Sequence, residues 1–132
     1  MVNTNCVFVV DDDSSARKGI ARLMRSAHYE VRDFDSTSSF LDALNSEIPC
    51  VVVLDIGMPE LSCDELLEQL EARELQLPII VVTTLDDAET RRNAQKLKAA
   101  GFFRKPVDGT ALLDAIDWSM RSRGQNSNSV NI

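Results

Sequence analysis

The sequence has little of what a zinc site or a disulfide framework requires. In 132 residues it holds one histidine and three cysteines. Cys6, Cys50 and Cys63 lie far apart and show no C-x-x-C spacing, and His28 stands alone. Cys6 and Cys50 lie in or beside apolar runs. This placement favours small buried hydrophobic side chains in a reducing compartment over metal ligands or disulfides.

Basic charge and long apolar runs are also scarce. Fourteen Lys and Arg are outnumbered by 21 Asp and Glu, which gives a net charge of −7 at pH 7. Nucleic acid binding needs a basic surface, so we expect no direct nucleic acid binding by this domain, although a partner or a further domain could bind DNA. No segment resembles a signal peptide or is long enough to span a bilayer. We therefore expect a cytoplasmic protein without a membrane partner.

The sequence does contain an apolar run that ends in an aspartate, VVVLDIGMP, at residues 51–59. A short apolar run bounded by turn residues predicts a strand that is buried on both faces. An ionised carboxylate is costly to bury alone, so Asp55 should lie where the strand leaves the core and should have polar neighbours. Other apolar runs end in Asp11 and Asp12, in Thr83 and in Lys105.

Strand and helix patterns alternate along the chain. The predicted strands are Cys6–Val10, Glu30–Phe34, Cys50–Asp55, Pro78–Thr83 and Phe102–Lys105. Predicted helices span 15–27, a short segment after Ser36, 62–75, 86–99 and 108–122, with Ser14, Ser62 and Asp86 as N-caps. We expect one α/β domain with a doubly wound, five-stranded parallel sheet in the order 2-1-3-4-5 and five helices. Gly19, inside the first helix, predicts close packing on the sheet.

The strand ends predict a site that handles phosphate. The carboxyl ends of parallel strands share one edge of the sheet, so the aspartates should converge there, opposite Lys105 and Thr83. Clustered carboxylates repel each other, and Mg²⁺ relieves that repulsion while keeping several of its waters. An aspartate beside Mg²⁺ can attack a phosphoryl group. The alternative, that these acids only cap helices, fits Asp13 best and extends to Asp11, but it leaves Asp55 unexplained.

Four motifs in this order, VVDDD, LDIGMP, VVTT and FFRKP, resemble the receiver domain of two-component response regulators. The resemblance covers about Cys6 to Arg121 and implies a flavodoxin-like, CheY-like fold. It implies that Asp55 is the phosphoacceptor, in a reaction that depends on Mg²⁺ (or Mn²⁺). By the same resemblance Asp12 and Asp55 bind the metal directly, Asp11 acts through water, and the Gly57 carbonyl is a further ligand.

The resemblance also implies roles around the phosphoryl group. Thr83 and Lys105 would contact it. Thr84 stands where a small Ala or Gly is common in the family, and its β-branched side chain would narrow access to the phosphoryl group. Thr83 and Phe102 would form the switch, although Phe102 fits a plain core or edge residue equally well. The surface that changes would be the fourth helix, fifth strand and fifth helix, with a partly exposed Trp118. The basic residues of the fourth helix (Arg91, Arg92, Lys96 and Lys98) are either part of that surface or a solvated face.

The chain departs from the usual receiver pattern at three further positions. Cys63 stands where glycine is common, which is tolerable if it begins a helix capped by Ser62. Gly57 and Leu85 occupy positions that tune phosphoryl loss in the family. Neither has a side chain that could position a water, so we expect slow self-dephosphorylation compared with variants carrying Asn at Gly57 and Glu at Leu85.

The expected domain is a receiver at residues 1–123, followed by a flexible tail or the start of a linker at 124–132. The expected partners are a sensor histidine kinase, a downstream effector or a missing effector domain, and a second copy in a phosphorylation-dependent homodimer. Beyond its own phosphorylation and dephosphorylation, no enzyme activity is expected. Two alternatives remain: a pseudo-receiver that never takes phosphate, and a haloacid-dehalogenase-type phosphatase. Asp11-x-Asp13-x-Ser15 suggests the phosphatase, but its later motifs are out of order.

Overall fold

Five strands alternate with five helices in the computed structural model, which describes the backbone of residues 2–130 and the side chains of residues 4–121. The strands are β1 (Val2–Val10), β2 (Glu30–Phe34), β3 (Ile48–Asp55), β4 (Ile79–Thr83) and β5 (Gly101–Arg104). The helices are α1 (Ser14–Ser26), α2 (Thr37–Ala43), α3 (Cys63–Ala72), α4 (Ala88–Lys96) and α5 (Gly109–Val130). All strand pairs are parallel, in the order β2-β1-β3-β4-β5. The predicted CheY-like fold is confirmed.

The apolar content of each strand decides its place in the sheet. Every residue of β4 is buried, and so is every residue of β3 from Pro49 onward, because helices cover both faces of the central strands. At the edge, β2 leaves Glu30, Arg32 and Asp33 exposed. Two strands differ in length from the prediction: β1 begins at Val2, and β3 begins at Ile48 and therefore includes Pro49, which lies opposite Asn3 at an irregular point of the pairing.

The core has one layer on each side of the sheet. One layer surrounds Phe8, Phe34 and Phe40, whose rings pack with centroids 5.0 to 6.2 Å apart. The other contains Met24 of α1 together with Leu112 and Ile116 of α5.

The cysteines are divided between these layers. Cys6 belongs to the first and Cys50 to the second, and the Cys50 thiol donates to the Cys6 carbonyl at 3.0 Å. Burial raises the pKa of Cys6 to about 12. All three cysteines are buried without a disulfide bond, as the sequence predicted.

Two helix caps differ from the prediction by one residue. Asp13, rather than Ser14, caps α1, because its carboxylate accepts from the amides of Ser15 at 3.0 Å and Ala16 at 3.3 Å. Asp87, rather than Asp86, caps α4 by accepting from the Thr90 amide at 2.8 Å. Spacing alone did not separate neighbouring residues that can all act as caps.

The predicted cap of α3 is confirmed. The Ser62 hydroxyl accepts from the Glu65 amide at 3.3 Å, and Cys63 is the first helical residue. Glycine is therefore not needed at position 63.

Three helices end in the left-handed conformation without a glycine. His28, Glu74 and Lys98 follow α1, α3 and α4 with φ of 72°, 57° and 54°. After α3 the Glu74 amide donates to the Glu71 carbonyl at 2.9 Å, and the Leu75 amide donates to the Leu70 carbonyl at 3.0 Å. This pair of bonds is the Schellman motif, which usually places glycine at the left-handed position.

Gly19 does not have the close packing on the sheet that the sequence predicted. It lies on the exposed side of α1, and a Cβ added there would meet nothing within 4 Å. The prediction of close packing on the sheet was wrong, because the apolar face of α1 is carried by Ile20 and Met24 instead.

The C-terminal helix is longer than the predicted segment, which ended near Ser122, since α5 reaches Val130. The expected tail or linker at 124–132 stays a prediction, because side chains after Arg121 and the whole of residues 131–132 lie outside the described residues. None of the helices, as far as the chain is described, is long and apolar enough to cross a membrane.

Candidate functional site

Four polar residues gather at the carboxyl edge of the sheet, as predicted. Asp11 follows β1, Asp55 ends β3, Thr83 ends β4 and Lys105 follows β5. Asp11 and Thr83 are fully buried, and Asp55 is only 6% exposed. An ionised carboxylate that is buried in this way requires a nearby opposite charge.

Lys105 neutralises both buried aspartates. Its Nζ donates to Asp55 Oδ2 at 2.9 Å and lies 2.7 Å from Asp11 Oδ2. The second contact lacks hydrogen-bond alignment, so charge attraction carries it, and Asp11 Oδ2 has no hydrogen-bond donor within the part of the chain that is described. The Lys105 side chain is only 12% exposed, so solvent and salt screen both ion pairs little.

Backbone groups orient both carboxylates. The Gly57 amide donates to Asp55 Oδ1 at 2.7 Å, and the Asp13 amide donates to Asp11 Oδ1 at 2.9 Å.

From α1, Arg17 donates to the Asp11 carbonyl at 2.9 Å and pairs with Asp33 on β2 at 3.0 Å. These bonds fix the two aspartates from α1 and from the loops that follow β1 and β3. Arg17 was missed by the sequence analysis, because helical spacing does not show which strand a side chain reaches.

The electrostatics show that the cluster carries an excess of negative charge. Burial raises the pKa of Asp11 and repulsion from Asp55 adds to it, against the opposing effects of Lys105 and the Asp13 amide. Burial alone would lower the pKa of Lys105, but its contacts with the two carboxylates raise it on balance. A single ammonium therefore faces two carboxylates, and the binding of a further cation would reduce their mutual repulsion.

The residues at this edge fit a hard divalent cation. Ligand atoms of Asp11, Asp12 and Asp55 all lie within 4.8 Å of one another, and Asp12 is exposed at the mouth of the site. Carboxylate oxygens with an open, solvent-facing side match Mg²⁺, which retains several waters.

Gly57 lies close to both the Thr83 hydroxyl and the Asp55 carboxylate. A Cβ added to Gly57 would lie 3.1 Å from Thr83 Oγ1, 3.2 Å from Asp55 Oδ1 and 3.8 Å from Leu85 Cδ1. The Thr83 hydroxyl also accepts from the Leu85 amide at 3.1 Å. The absence of a side chain at Gly57 thus allows the hydroxyl and the carboxylate to share one small space.

The structure also gives the surroundings of three other residues that the sequence singled out. Thr84 is exposed and lines a groove together with Lys105 and Asp13. Phe102 is half-buried on β5, opposite Val81, and packs against the core layer that contains Phe8. Trp118 is 57% exposed on α5, as its helical position predicted. The Asp13 carboxylate caps α1 and is not one of the three clustered carboxylates, so Asp11-x-Asp13 does not act as the first phosphatase motif would require.

Comparison with known proteins identifies the family. The model of the response regulator receiver domain matches residues 7–117. TdiR of Thauera aromatica, a transcriptional regulatory protein, is 39% identical over 118 residues, which cover 87% of this chain and 51% of TdiR. Full-length FixJ from B. japonicum has a TM-score of 0.83 at 32% identity over 98% of this chain and 63% of that one. A CheY-like receiver domain from Methanospirillum hungatei JF-1 has the same TM-score at 20% identity, over 92% of this chain and 98% of its own.

The chain belongs to the response regulator receiver domain family. It is thus a signalling domain of a response regulator in two-component signal transduction. It spans about half the length of the first relatives it matches.

Proposed function

We propose that this receiver domain accepts a phosphoryl group on Asp55 from the phosphohistidine of a sensor kinase, in a reaction that depends on Mg²⁺ or Mn²⁺. The observation that carries the proposal is the convergence of two buried carboxylates on the Lys105 ammonium, with Asp12 at the solvent side. A pseudo-receiver would not need to retain this costly buried charge.

The chemistry follows from the groups in place. A carboxylate oxygen of Asp55 attacks phosphorus, the bond from phosphorus to the imidazole nitrogen breaks, and its electron pair returns to the ring. Asp12 and Asp55 would bind the metal, with Asp11 through water and the Gly57 carbonyl as a further ligand, and the bound cation would neutralise phosphoryl charge. Lys105 then pairs with one phosphoryl oxygen and the Thr83 hydroxyl donates to another. Thr84, at the groove beside Lys105, borders the same space and narrows access to it.

Mass spectrometry with acetyl phosphate as the phosphodonor tests this proposal. We expect a phosphoryl adduct in the presence of Mg²⁺, its loss in Asp55→Asn, and its near loss in Asp12→Asn or with EDTA. Asp42→Asn, which removes an exposed carboxylate on α2, is the matched control and should still be phosphorylated. An unmodified wild-type chain would favour a pseudo-receiver, and an adduct that survives in Asp55→Asn would place the acceptor elsewhere.

The proposed output surface consists of α4, β5 and α5. The phosphoryl group would draw in the Thr83 hydroxyl, and Phe102 would turn inward, which changes this surface. Trp118 is the single tryptophan of the chain and is exposed on α5, so its fluorescence should change on phosphorylation and stay constant in Asp55→Asn. Unchanged fluorescence in a phosphorylated sample would remove α5 from the output surface.

The relatives suggest what the output controls. TdiR and FixJ are transcriptional regulatory proteins, and NtrC is a DNA-binding transcriptional regulator. We propose that this domain controls an effector, either a further domain or a separate protein, and forms a homodimer when phosphorylated. Light scattering before and after phosphorylation tests the homodimer.

A further inference from the structure

An arginine on α4 covers the predicted switch residue. The guanidinium carbon of Arg91 lies 5.0 Å from the centroid of the Phe102 ring, a cation–π distance. Both residues line the same surface groove between α4 and β5. Phe102 is half-buried there, so one part of its ring packs on the core and another part contacts the cation.

An aspartate in the loop after β4 anchors that arginine. Arg91 Nε donates to Asp86 Oδ1 at 2.6 Å. This hydrogen bond lowers the pKa of Asp86 below its usual value, so the pair is charged at neutral pH. Asp86 does not cap α4, because Asp87 does so, and its carboxylate is therefore available to Arg91.

The same loop is tied to the Thr83 hydroxyl. The Leu85 amide, one residue before Asp86, donates to Thr83 Oγ1 at 3.1 Å. A hydroxyl that moves toward a phosphoryl group on Asp55 must change or lose this bond. Thr83 is thus linked by a hydrogen bond to Leu85, and Leu85 precedes Asp86 in the chain. Asp86 in turn bonds Arg91, whose guanidinium lies over the Phe102 ring.

We propose that Asp86 and Arg91 form a clasp that holds Phe102 in its half-exposed position and so opposes the phosphorylated state. This inference rests on the proposed function, because it assumes that Phe102 leaves this position when Asp55 carries a phosphoryl group. Arg91 is then a positioning residue that acts through Phe102. By thermodynamic reciprocity, contacts that are made only in the resting state weaken the binding of any ligand that favours the other state.

Calorimetric titration with beryllofluoride, a mimic of aspartyl phosphate, measures this effect at saturating Mg²⁺. Arg91→Met keeps an apolar side chain of similar length but removes the charge, and we expect about threefold tighter binding. Asp86→Asn should tighten binding by a smaller factor. Arg92→Met, at the exposed neighbouring arginine, is the matched control and should bind as the wild type does. Equal or weaker binding by Arg91→Met would overturn the clasp.

Two double variants show whether the effect passes through the named contacts. Asp86→Asn should have no further effect in the Arg91→Met background, and Arg91→Met should have none when Phe102 is replaced by Leu. Additive effects in either pair would overturn the clasp. Because the ion pair is exposed, the ratio of wild-type to Arg91→Met affinity should also approach one as salt rises. A ratio that salt does not change would indicate a purely structural role and overturn it.

The wild-type titration separates the two proposals. If Asp55→Asn abolishes beryllofluoride binding and Arg91→Met leaves it unchanged, the clasp is overturned and the proposed function stands. No wild-type binding overturns both proposals.

Discussion

Leu85 lies at the mouth of the site with an apolar side chain that is 46% exposed. Its methyl group lies 3.8 Å from the point that a Cβ on Gly57 would occupy. Neither residue offers an atom that could orient a water toward the phosphoryl group. We therefore expect Leu85→Glu to shorten the phosphoryl lifetime about tenfold, less than a fully positioned general base contributes.

The decay of the phosphoryl group after removal of the phosphodonor measures this lifetime. Leu85→Met is the control and should decay as the wild type does. Gly57→Asn should also shorten the lifetime, but its Cβ crowds Thr83 Oγ1 and Asp55 Oδ1, so phosphorylation itself should slow. Wild-type decay as fast as that of both variants would contradict the expected slow self-dephosphorylation.

At the residue scale, the sequence predicted the residues that gather at the site and missed those that hold them in place. Asp55 and Lys105 were predictable because their position follows from an apolar run that ends at them. Arg17 was not predicted, and Arg91 was predicted only as part of a basic helix face, because the contacts of each lie on a different element. The residues that these two arginines contact depend on tertiary packing, which helical spacing does not specify.

The left-handed ends of α3 and α4 are places where the chain can gain stability. Glu74 and Lys98 are exposed with φ of 57° and 54°, a conformation that costs a residue with a Cβ about 1 kcal/mol. We expect Glu74→Gly and Lys98→Gly each to raise the free energy of unfolding by about 0.5–1 kcal/mol, since glycine has no such cost. Urea denaturation measures the change.

Alanine at the same positions is the matched control, because it removes the charged side chain but keeps the Cβ. Glu74→Ala and Lys98→Ala should give no comparable gain. If alanine stabilised as much as glycine, the left-handed backbone would not be the cause.

Gly19 gives the opposite prediction for a glycine inside a helix. It is exposed on α1, and an added Cβ would meet nothing within 4 Å. Gly19→Ala should therefore raise the free energy of unfolding by about 0.5–1 kcal/mol, because alanine loses less backbone entropy in a helix. Gly19→Ser, with poorer helix propensity, should gain less in the same urea titration. A loss of stability in Gly19→Ala would contradict the open surroundings seen in the structure.

Element boundaries were predictable only to within a few residues. Neighbouring residues could each act as the cap, Asp13 or Ser14 for α1 and Asp86 or Asp87 for α4, and only the hydrogen bonds in the structure distinguish them. The start of β1 at Val2 was missed because residues 3–5 are polar and the pairing with β3 is irregular there.

For the whole molecule, magnesium should stabilise the folded state. The convergent carboxylates exist only in the folded chain, so Mg²⁺ at about 100 times its dissociation constant should add about 2.7 kcal/mol to the free energy of unfolding. Thermal melts with and without Mg²⁺ measure this gain. Asp12→Asn should lose most of it, whereas Asp42→Asn should keep it. Equal melting temperatures with and without Mg²⁺ in the wild type would contradict a metal site.

The magnesium effect should depend on pH. Burial raises the pKa of Asp11 above its ordinary value of 3.8, so the folded state holds this proton more tightly than the unfolded state. Without metal, this contribution to stability is lost as pH rises from that value through the folded pKa. Mg²⁺ competes with the proton, and its stabilisation should therefore be larger at neutral pH than near the ordinary pKa of aspartate.

The sheet order followed from a few residues. The unbroken apolar runs that became β3 and β4 required central positions, and the alternating EVRDF of β2 required an edge. Parallel strands then brought their ends together. The direction and strength of the contacts around Phe102 depended on side-chain packing across α4 and β5, which no single run of sequence encodes.

The buried cysteines allow local opening of the folded chain to be measured. Cys6 and Cys50 lie on opposite faces of the sheet and Cys63 begins α3, and all three thiols are shielded from solvent. A thiol-reactive dye can reach each of them only when the surrounding structure opens. Labelling rates in variants that keep one cysteine at a time would give separate opening free energies for β1, β3 and α3.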